Sequence, residues 1–196
     1  MTNREEARDT PTRDDPADDG VHDDGKYSRV EYERRFLVRG VDWRALAASA
    51  RSIEDKYLHG TRLRLRVVRD LDSGERTIKL TRKAASPSPF HRTLNRILLT
   101  PAEHRVFDRL AGDRLAKVRR HGVHAGRRYA VDEFDGELAG LMLCEIEAGD
   151  LDELMRAIAP PFADIEVTTD PFFDGVNLAR TTRSELLAKL ASFRAS

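Results

Sequence analysis

The chain has 196 residues, and Lys plus Arg and Asp plus Glu number 34 each, so its formal net charge is zero. This length favours a single folded domain. The sequence has no apolar run of about 18 residues, which excludes a transmembrane helix. Because its N-terminus is polar and acidic, we expect no secretory or organelle-targeting leader there. A single cysteine, Cys144, excludes an internal disulfide and a cysteine-based zinc site. We therefore expect a cytoplasmic protein without a membrane partner.

The balanced charge conceals an uneven distribution along the chain. Residues 1–25 contain nine acidic and three basic residues, a net charge of −6, and they lack a hydrophobic pattern. This composition is typical of disordered segments. The sequence therefore predicts a disordered acidic tail over 1–25 and one moderately basic folded domain over 26–196.

Alternation of polar and apolar residues dominates the folded part and predicts β-strands. Several of these strands are separated by short turns that contain glycine. The eight predicted strands cover residues 30–38, 53–58, 61–68, 75–83, 91–99, 114–121, 127–135 and 141–148. A ninth, short strand is consistent with the pattern at 163–168.

Three helices interrupt the predicted strands. Residues 100–103 form a capping box with proline at the first helical position, which predicts a helix to about Leu110. The pattern predicts a second helix over 150–159, ended by two prolines, and a third over 177–193 with leucines at helical spacing. A shorter helix is expected over 42–50.

The predicted strands have one charged face and one mostly apolar face, because side chains alternate along a strand. The charges also separate by sign: carboxylate pairs occur on the first and eighth strands, and cations on the third, fourth and sixth. In an open sheet the charged face would simply meet solvent. Eight strands can instead close into a barrel with a wet, charged interior. Such an interior offers cations for phosphates and carboxylates for Mg²⁺ or Mn²⁺.

A series of short motifs occurs along the folded part. The first is E-Y-E-R-R at residues 31–35. It is followed by R-L-R-L-R at 62–66, L-T-R-K at 80–83, K-V-R at 117–119, V-D-E-F at 131–134, G-L-M-L-C-E-I-E at 140–147, E-V-T at 166–168 and N-L-A at 177–179. In order and spacing, this set resembles the CYTH domains, also called triphosphate tunnel metalloenzymes. The first motif resembles the E-x-E-x-K signature of that family, and the likeness covers about residues 27–180.

The resemblance implies a mainly β fold, an eight-stranded antiparallel β-barrel tunnel with flanking helices. It also implies a triphosphate substrate bound with a divalent metal ion, Mg²⁺ or Mn²⁺. The implied metal ligands are Glu31, Glu33, Asp132, Glu145 and Glu147. The implied phosphate-binding residues are Arg62, Arg64, Lys79, Lys83, Lys117 and Arg119. Arg35, Lys83 and Arg119 are expected to act in catalysis.

The chain departs from the family pattern at two places. Arg35 replaces the signature lysine; it keeps the charge and can hold a phosphate through two hydrogen bonds, but it cannot give up its proton. The fifth strand of many members carries a second pair of glutamates, whereas residues 92–97 read R-T-L-N-R-I here. The missing acidic pair has two interpretations of equal weight. The fifth strand is an ordinary part of the barrel wall, or turnover is changed or lost.

The preferred function is metal-dependent hydrolysis of a triphosphate-containing substrate. Inorganic tripolyphosphate ranks first, because the sequence shows no obvious set of residues that would read a nucleobase. Two alternatives remain: an adenylate cyclase of the CYTH type, and a non-catalytic module that binds polyphosphate or nucleotides. A nucleic-acid partner is not expected, since the cations are not interleaved with exposed aromatic residues. The sequence makes no prediction of the oligomeric state.

Overall fold

The computed structural model describes residues 28–39, 43, 48–84, 86 and 88–193. The predicted acidic tail over 1–25 lies outside these residues, as does most of the predicted helix over 42–50. The described strands are β1 (Ser28–Val38), β2 (Ser49–Leu58), β3 (Leu63–Asp70), β4 (Arg76–Lys83), β5 (His91–Leu98), β6 (Gly112–His124), β7 (Arg127–Phe134), β8 (Met142–Ala148) and β9 (Ala163–Glu166). The described helices are α1 (Pro101–Phe107), α2 (Leu151–Met155), α3 (Gly175–Leu178) and α4 (Arg183–Ser192).

The sheet closes into a barrel because β1 pairs with a strand on each side. Its first part, from Ser28 to Tyr32, pairs with β5, and its second part, from Tyr32 to Leu37, pairs with β8. The other strands complete the circle in the order β5-β4-β3-β2-β6-β7-β8, and β9 lies beside the end of β1. All pairings in the circle are antiparallel. The predicted eight-stranded antiparallel barrel with flanking helices is therefore confirmed.

The two-residue period of the strands determines which side chains enter the barrel. The register sets Glu33 opposite Glu147 and Arg35 opposite Glu145, so these four charged side chains share the inner face. The alternate residues pack outside the barrel. They belong to a buried apolar cluster of Phe36, Val38, Trp43, Tyr129, Val131, Cys144, Ile146, Ala157 and Phe162.

A second apolar cluster fills one end of the barrel. The strands contribute Leu37, Leu115, Phe134 and Leu143, and the C-terminal segment contributes Phe173, Leu178 and Leu186. All of these side chains are buried. We call this the closed end, because α3, α4 and the 3₁₀ turn at Pro171–Phe173 cover it.

The C-terminal segment forms two helices instead of the one predicted over 177–193. α3 ends at Leu178, and Thr182 then begins α4. The Thr182 hydroxyl accepts a hydrogen bond from the Glu185 amide, and the Glu185 carboxylate accepts one from the Thr182 amide. This capping box is readable as T-x-x-E in the sequence and starts a new helix.

Other boundaries differ by a few residues. β2 begins at Ser49, so the described end of the predicted helix over 42–50 is strand. α2 ends at Met155, well before the two prolines. β6 begins at Gly112, where it pairs with β2, and extends to His124, where it pairs with β7. No helix in the described part of the chain combines the length and apolar character needed to cross a lipid bilayer.

Candidate active site

A cavity of about 210 Å³ lies inside the barrel, and we call it the cleft. Its lining includes nine of the twelve predicted site residues: Glu31, Glu33, Arg35, Arg64, Lys83, Lys117, Arg119, Glu145 and Glu147. The other three lie nearby. Arg62 lines a neighbouring cavity, Lys79 is opposite Arg66 in the register of β3 and β4, and Asp132 is buried behind Lys117 and Arg119.

One side of the cleft, the carboxylate wall, is formed by Glu31 and Glu33 of β1 and by Glu145 and Glu147 of β8. Burial raises the pKa of Glu33, and repulsion from Glu145 raises it further. Burial likewise raises the pKa of Glu147, with added repulsion from Glu145 and Glu31. Closely spaced carboxylates thus disfavour their own charged forms, and a bound cation would relieve this repulsion.

The opposite side, the cationic wall, carries Arg64 and Arg66 of β3, Lys83 of β4, and Lys117 and Arg119 of β6. Burial and repulsion from Arg64 lower the pKa of Lys83 to about 8. Lys83 therefore remains mostly protonated at neutral pH. Ammonium and guanidinium groups in such an arrangement are suited to bind phosphate oxygens.

Two buried aspartates hold the cationic wall in place. Asp55 accepts hydrogen bonds from Arg66 Nε at 2.6 Å and Arg66 Nη2 at 2.7 Å. Asp132, 0% exposed, accepts bonds from Arg119 Nε at 2.6 Å and Nη2 at 2.7 Å, and a further bond from Lys117 Nζ. Burial alone would raise the pKa of each carboxyl, but the neighbouring cations outweigh it and hold both pKa values well below their usual range.

Asp132 therefore serves as a counter-ion in this structure. Its carboxylate oxygens face Lys117 and Arg119 and do not line the cleft. Through these contacts Asp132 orients two of the cations that face the cleft. A direct role for Asp132 as a metal ligand stays a prediction.

Arginines also reach the carboxylate wall. Arg119 Nη2 donates to Glu145, and Arg96 Nη2 donates to Glu31 Oε1 at 3.1 Å. Burial alone would raise the pKa of Glu145, but Arg119 outweighs it and the pKa is lowered. Glu33 lies 3.7 Å from Arg35 Nε, too far for a hydrogen bond.

Arg35 connects the carboxylate wall to the closed end. The side chain is almost fully buried, with Nη1 donating to the Phe173 carbonyl oxygen at 2.6 Å and Nη2 to Asp174 Oδ1 at 2.8 Å. A lysine would present a single nitrogen to these acceptors, whereas the guanidinium meets each of them with a separate nitrogen. The geometry thus gives a structural reason for arginine at this position, while its expected catalytic role stays a prediction.

The fifth strand places two guanidinium groups inside the barrel. Arg96 contacts Glu31, and Arg92 Nη2 donates to both oxygens of Asp174 at 2.9 Å. The fifth strand therefore adds positive charge to the barrel interior, at the position where the family pattern has an acidic pair.

Sequence reasoning missed five charged residues that contribute to this region: Asp55, Arg66, Arg92, Arg96 and Asp174. Arg66 has the same strand parity as Arg62 and Arg64 and could have been included. Arg92 and Arg96 likewise share one parity. No local signal shows that the turn containing Asp174 reaches the barrel interior.

The residues present fit a divalent ion whose coordination the substrate completes. Mg²⁺ and Mn²⁺ prefer oxygen ligands, which the carboxylate wall supplies. Among the described residues, no group of three or more His, Cys, Asp or Glu side chains is arranged to hold a metal ion. Mg²⁺ commonly binds through one or two carboxylates together with substrate phosphates and water. Glu33 and Glu147 are opposite each other in the register of β1 and β8 and have raised pKa values, so this pair could hold such an ion.

Comparison with known proteins supports the fold. Two solved structures of the protein NE1496 are each 24% identical to this chain, with a TM-score of 0.50. One describes NE1496 as a hypothetical protein, and the other describes it as an inorganic triphosphatase. They cover 78% and 77% of this chain, and 99% and 95% of their own chains. PH1819 from Pyrococcus horikoshii OT3 is 21% identical over 64% of this chain and 82% of its own, with a TM-score of 0.47. No family model and no curated protein matches the sequence.

Proposed function

We propose that this chain, whose closed eight-stranded barrel resembles the triphosphate tunnels of the CYTH domains, hydrolyses triphosphate-containing substrates with Mg²⁺ or Mn²⁺. Inorganic tripolyphosphate is the preferred substrate. One observation carries the proposal: a cationic wall and a carboxylate wall face each other across the cleft. A substrate made of phosphates and a divalent cation needs both kinds of wall. The activity named for NE1496, an inorganic triphosphatase, supports the same class of reaction.

The cationic wall would bind the phosphate chain. Arg64, Lys83 and Arg119 line the cleft and can each donate charge-assisted hydrogen bonds to phosphate oxygens. Asp132 and Asp55 keep Arg119 and Arg66 in fixed orientations. Donors that are already oriented need little rearrangement as charge shifts during phosphoryl transfer, and this preorganisation contributes strongly to catalysis.

The carboxylate wall would hold the metal. Glu33 and Glu147 are the proposed ligands, with substrate phosphate oxygens and water completing the coordination. When bound, the ion supplies charge neutralisation and lowers the pKa of a coordinated water. Glu145 and Glu31 accept hydrogen bonds from Arg119 and Arg96, so the proposed metal site is assigned to Glu33 and Glu147 alone.

The character of the cleft favours a substrate without a large organic group. Its lining is mostly charged, and the apolar side chains among it, such as Leu115, Phe134 and Leu143, belong to the packed cluster of the closed end. A phosphate chain presents no ring that would need an apolar pocket. Tripolyphosphate therefore fits these surroundings better than a nucleoside triphosphate does.

The test is phosphate release from tripolyphosphate with Mg²⁺ and with Mn²⁺. The double variant Glu33→Gln/Glu147→Gln should lose release by at least about a hundredfold, because it removes the proposed metal ligands. It should also lose Mn²⁺ binding in calorimetry. The control Glu54→Gln/Glu75→Gln changes two exposed carboxylates outside the cleft and should behave as the wild type.

ATP and thiamine triphosphate are assayed beside tripolyphosphate to identify the reaction. Cyclic AMP from ATP would show the cyclase alternative, whereas orthophosphate would show hydrolysis. Full release by the glutamine double variant would refute the proposed metal site.

A second candidate is a non-catalytic module that binds phosphate chains. The inward arginines of the fifth strand favour this alternative. Arg96 forms an ion pair with Glu31, which leaves fewer carboxylates to bind metal ions. This alternative predicts tripolyphosphate binding by the wild type without release in either metal. Metal-dependent release by the wild type excludes it.

A further inference from the structure

A second cavity, of about 240 Å³, lies against the cleft on the side of the closed end. Both cavities are lined by the same five residues, Tyr57, Arg64, Lys83, Asp174 and Gly175. The two spaces therefore adjoin each other, and we call these five shared residues the partition. Asp174 contributes the acidic group of this partition.

The second cavity has more cationic than acidic side chains in its lining. Besides Arg64 and Lys83, which it shares with the cleft, its lining has the cations Arg62, Arg92 and Arg180. Asp174 is the single acidic residue among these lining residues. Arg180 Nε donates to Asp113 Oδ2 at 2.6 Å, which fixes this cation at the edge of the cavity.

Asp174 is held rigidly between two arginines. Its Oδ1 accepts from Arg35 Nη2 at 2.8 Å, and both its oxygens lie 2.9 Å from Arg92 Nη2. Burial alone would raise the pKa of Asp174, but the hydrogen bonds from Arg92 and Arg35 outweigh it and lower the pKa. Asp174 therefore gives the partition a negative charge, and it pairs with two guanidinium groups that could otherwise contact a phosphate.

Tyr57 and Gly175 complete the partition. A Cβ atom at Gly175 would collide with the Tyr57 hydroxyl group, so glycine lets the turn approach this ring. The close approach brings the start of α3, and with it Asp174, against the barrel wall.

We propose that Asp174 sets how many phosphates of a chain this protein can hold; the proposal rests on the proposed function for its substrate class. With Asp174 in place, a chain that enters the cleft ends at the partition. Without the carboxylate, Arg35 and Arg92 are released and the two cavities join. The chain then continues toward Arg180 and gains contacts in the second cavity.

Calorimetry on the full chain tests this without turnover, in the absence of divalent metal. The probes are pyrophosphate, tripolyphosphate, tetrapolyphosphate and a longer linear polyphosphate. For the wild type, affinity should stop rising with length once the cleft is filled. For Asp174→Ala, affinity should keep rising and exceed the wild-type value for the longest chain by about tenfold, as one or two new charge-assisted contacts would give.

Two further variants separate this mechanism from simpler effects. Asp174→Ala/Arg180→Ala should lose most of the gain, because Arg180 lines the second cavity and does not line the cleft. Asp170→Ala removes a cap and an ion pair with Lys189 in the same segment while leaving the Asp174 contacts intact, and it should keep the wild-type length dependence. Thermal unfolding confirms that each variant is folded.

The outcomes distinguish this proposal from the hydrolase proposal. The same length dependence in the wild type and folded Asp174→Ala would overturn the role of Asp174 and leave hydrolysis standing. A wild type that binds tripolyphosphate but does not hydrolyse it would overturn hydrolysis, while the affinity series still decides the role of Asp174. A wild type that binds none of the four probes would overturn the role of Asp174, while phosphate release in the presence of metal still decides hydrolysis.

Discussion

The two walls of the cleft use carboxylates in opposite ways. In the cationic wall, Asp55 and Asp132 are each surrounded by two cations, and their pKa values are held low. In the carboxylate wall, Glu33 and Glu147 are opposite each other on neighbouring strands, and their pKa values are raised. The same functional group is thus a fixed counter-ion on one side and an incompletely neutralised carboxylate on the other.

This difference shows how a buried, highly charged interior can pair some of its charges internally and leave others to bind a cation. Buried charges are tolerated when they are paired and hydrogen-bonded. The aspartates meet this requirement within the protein itself. The glutamates meet it only partly, so a metal ion or a similar cation would complete their pairing.

The largest expected effect is on stability, from a matched pair of substitutions. Asp132→Asn removes the charge that pairs with Lys117 and Arg119, and it should lower the free energy of unfolding by about 3–5 kcal/mol. Glu147→Gln removes a repelled carboxylate and should change this free energy by less than about 1 kcal/mol. Urea unfolding measures both, and equal losses would contradict the contrast between the walls.

The next largest effect is expected on the pH dependence of tripolyphosphate binding. Lys83 has its pKa lowered to about 8, so it is mostly charged below that pH and neutral above it. Affinity for tripolyphosphate should therefore fall by about tenfold as the pH rises through this value, because a charge-assisted contact is lost. Lys83→Arg keeps the charge and should remove this fall. An identical pH dependence in the variant would show that another group titrates.

The smallest effect is expected at Arg35, a cation that lies on the same inner face as the glutamates of the carboxylate wall. Arg35→Lys can keep one of the contacts to Phe173 and Asp174 and should lower the free energy of unfolding by about 1 kcal/mol. Hydrolysis of tripolyphosphate should persist, since the positive charge is kept. Full stability combined with loss of hydrolysis would instead assign Arg35 a catalytic role.

Local pattern was enough to predict the strands and their charged faces, and the resemblance to the CYTH domains predicted the closed barrel and most of the cleft. Strand alternation places Glu33, Lys83 and Arg119 on inner faces, because the two-residue period is a property of the backbone and needs no knowledge of the partner strand. The closed barrel confirmed that these faces meet. The sign of the charge on each strand then gave two walls of opposite charge.

Contacts between distant parts of the chain were beyond that pattern. Arg92 and Asp174 are 82 positions apart, and Arg35 and Asp174 are 139 apart, so no local signal relates them. The counter-ion role of Asp132 was also hidden, since one acid on an inner face looks the same whether it faces a metal or two cations. The break at Thr182 was readable from its capping box, but the leucine spacing on both sides suggested a single helix.

The position of β1 has a consequence for how the protein is made. β1 is synthesised first among the barrel strands, yet its second part pairs with β8, whose last residue follows roughly a hundred positions later. At translation rates of about 5–20 residues per second, β1 waits on the order of 10 s for this partner. Pairing between such distant segments is also intrinsically slow. Glu33 and Glu147 can therefore meet only after β8 has been made, so we expect closure of the barrel and assembly of the proposed metal site to occur together.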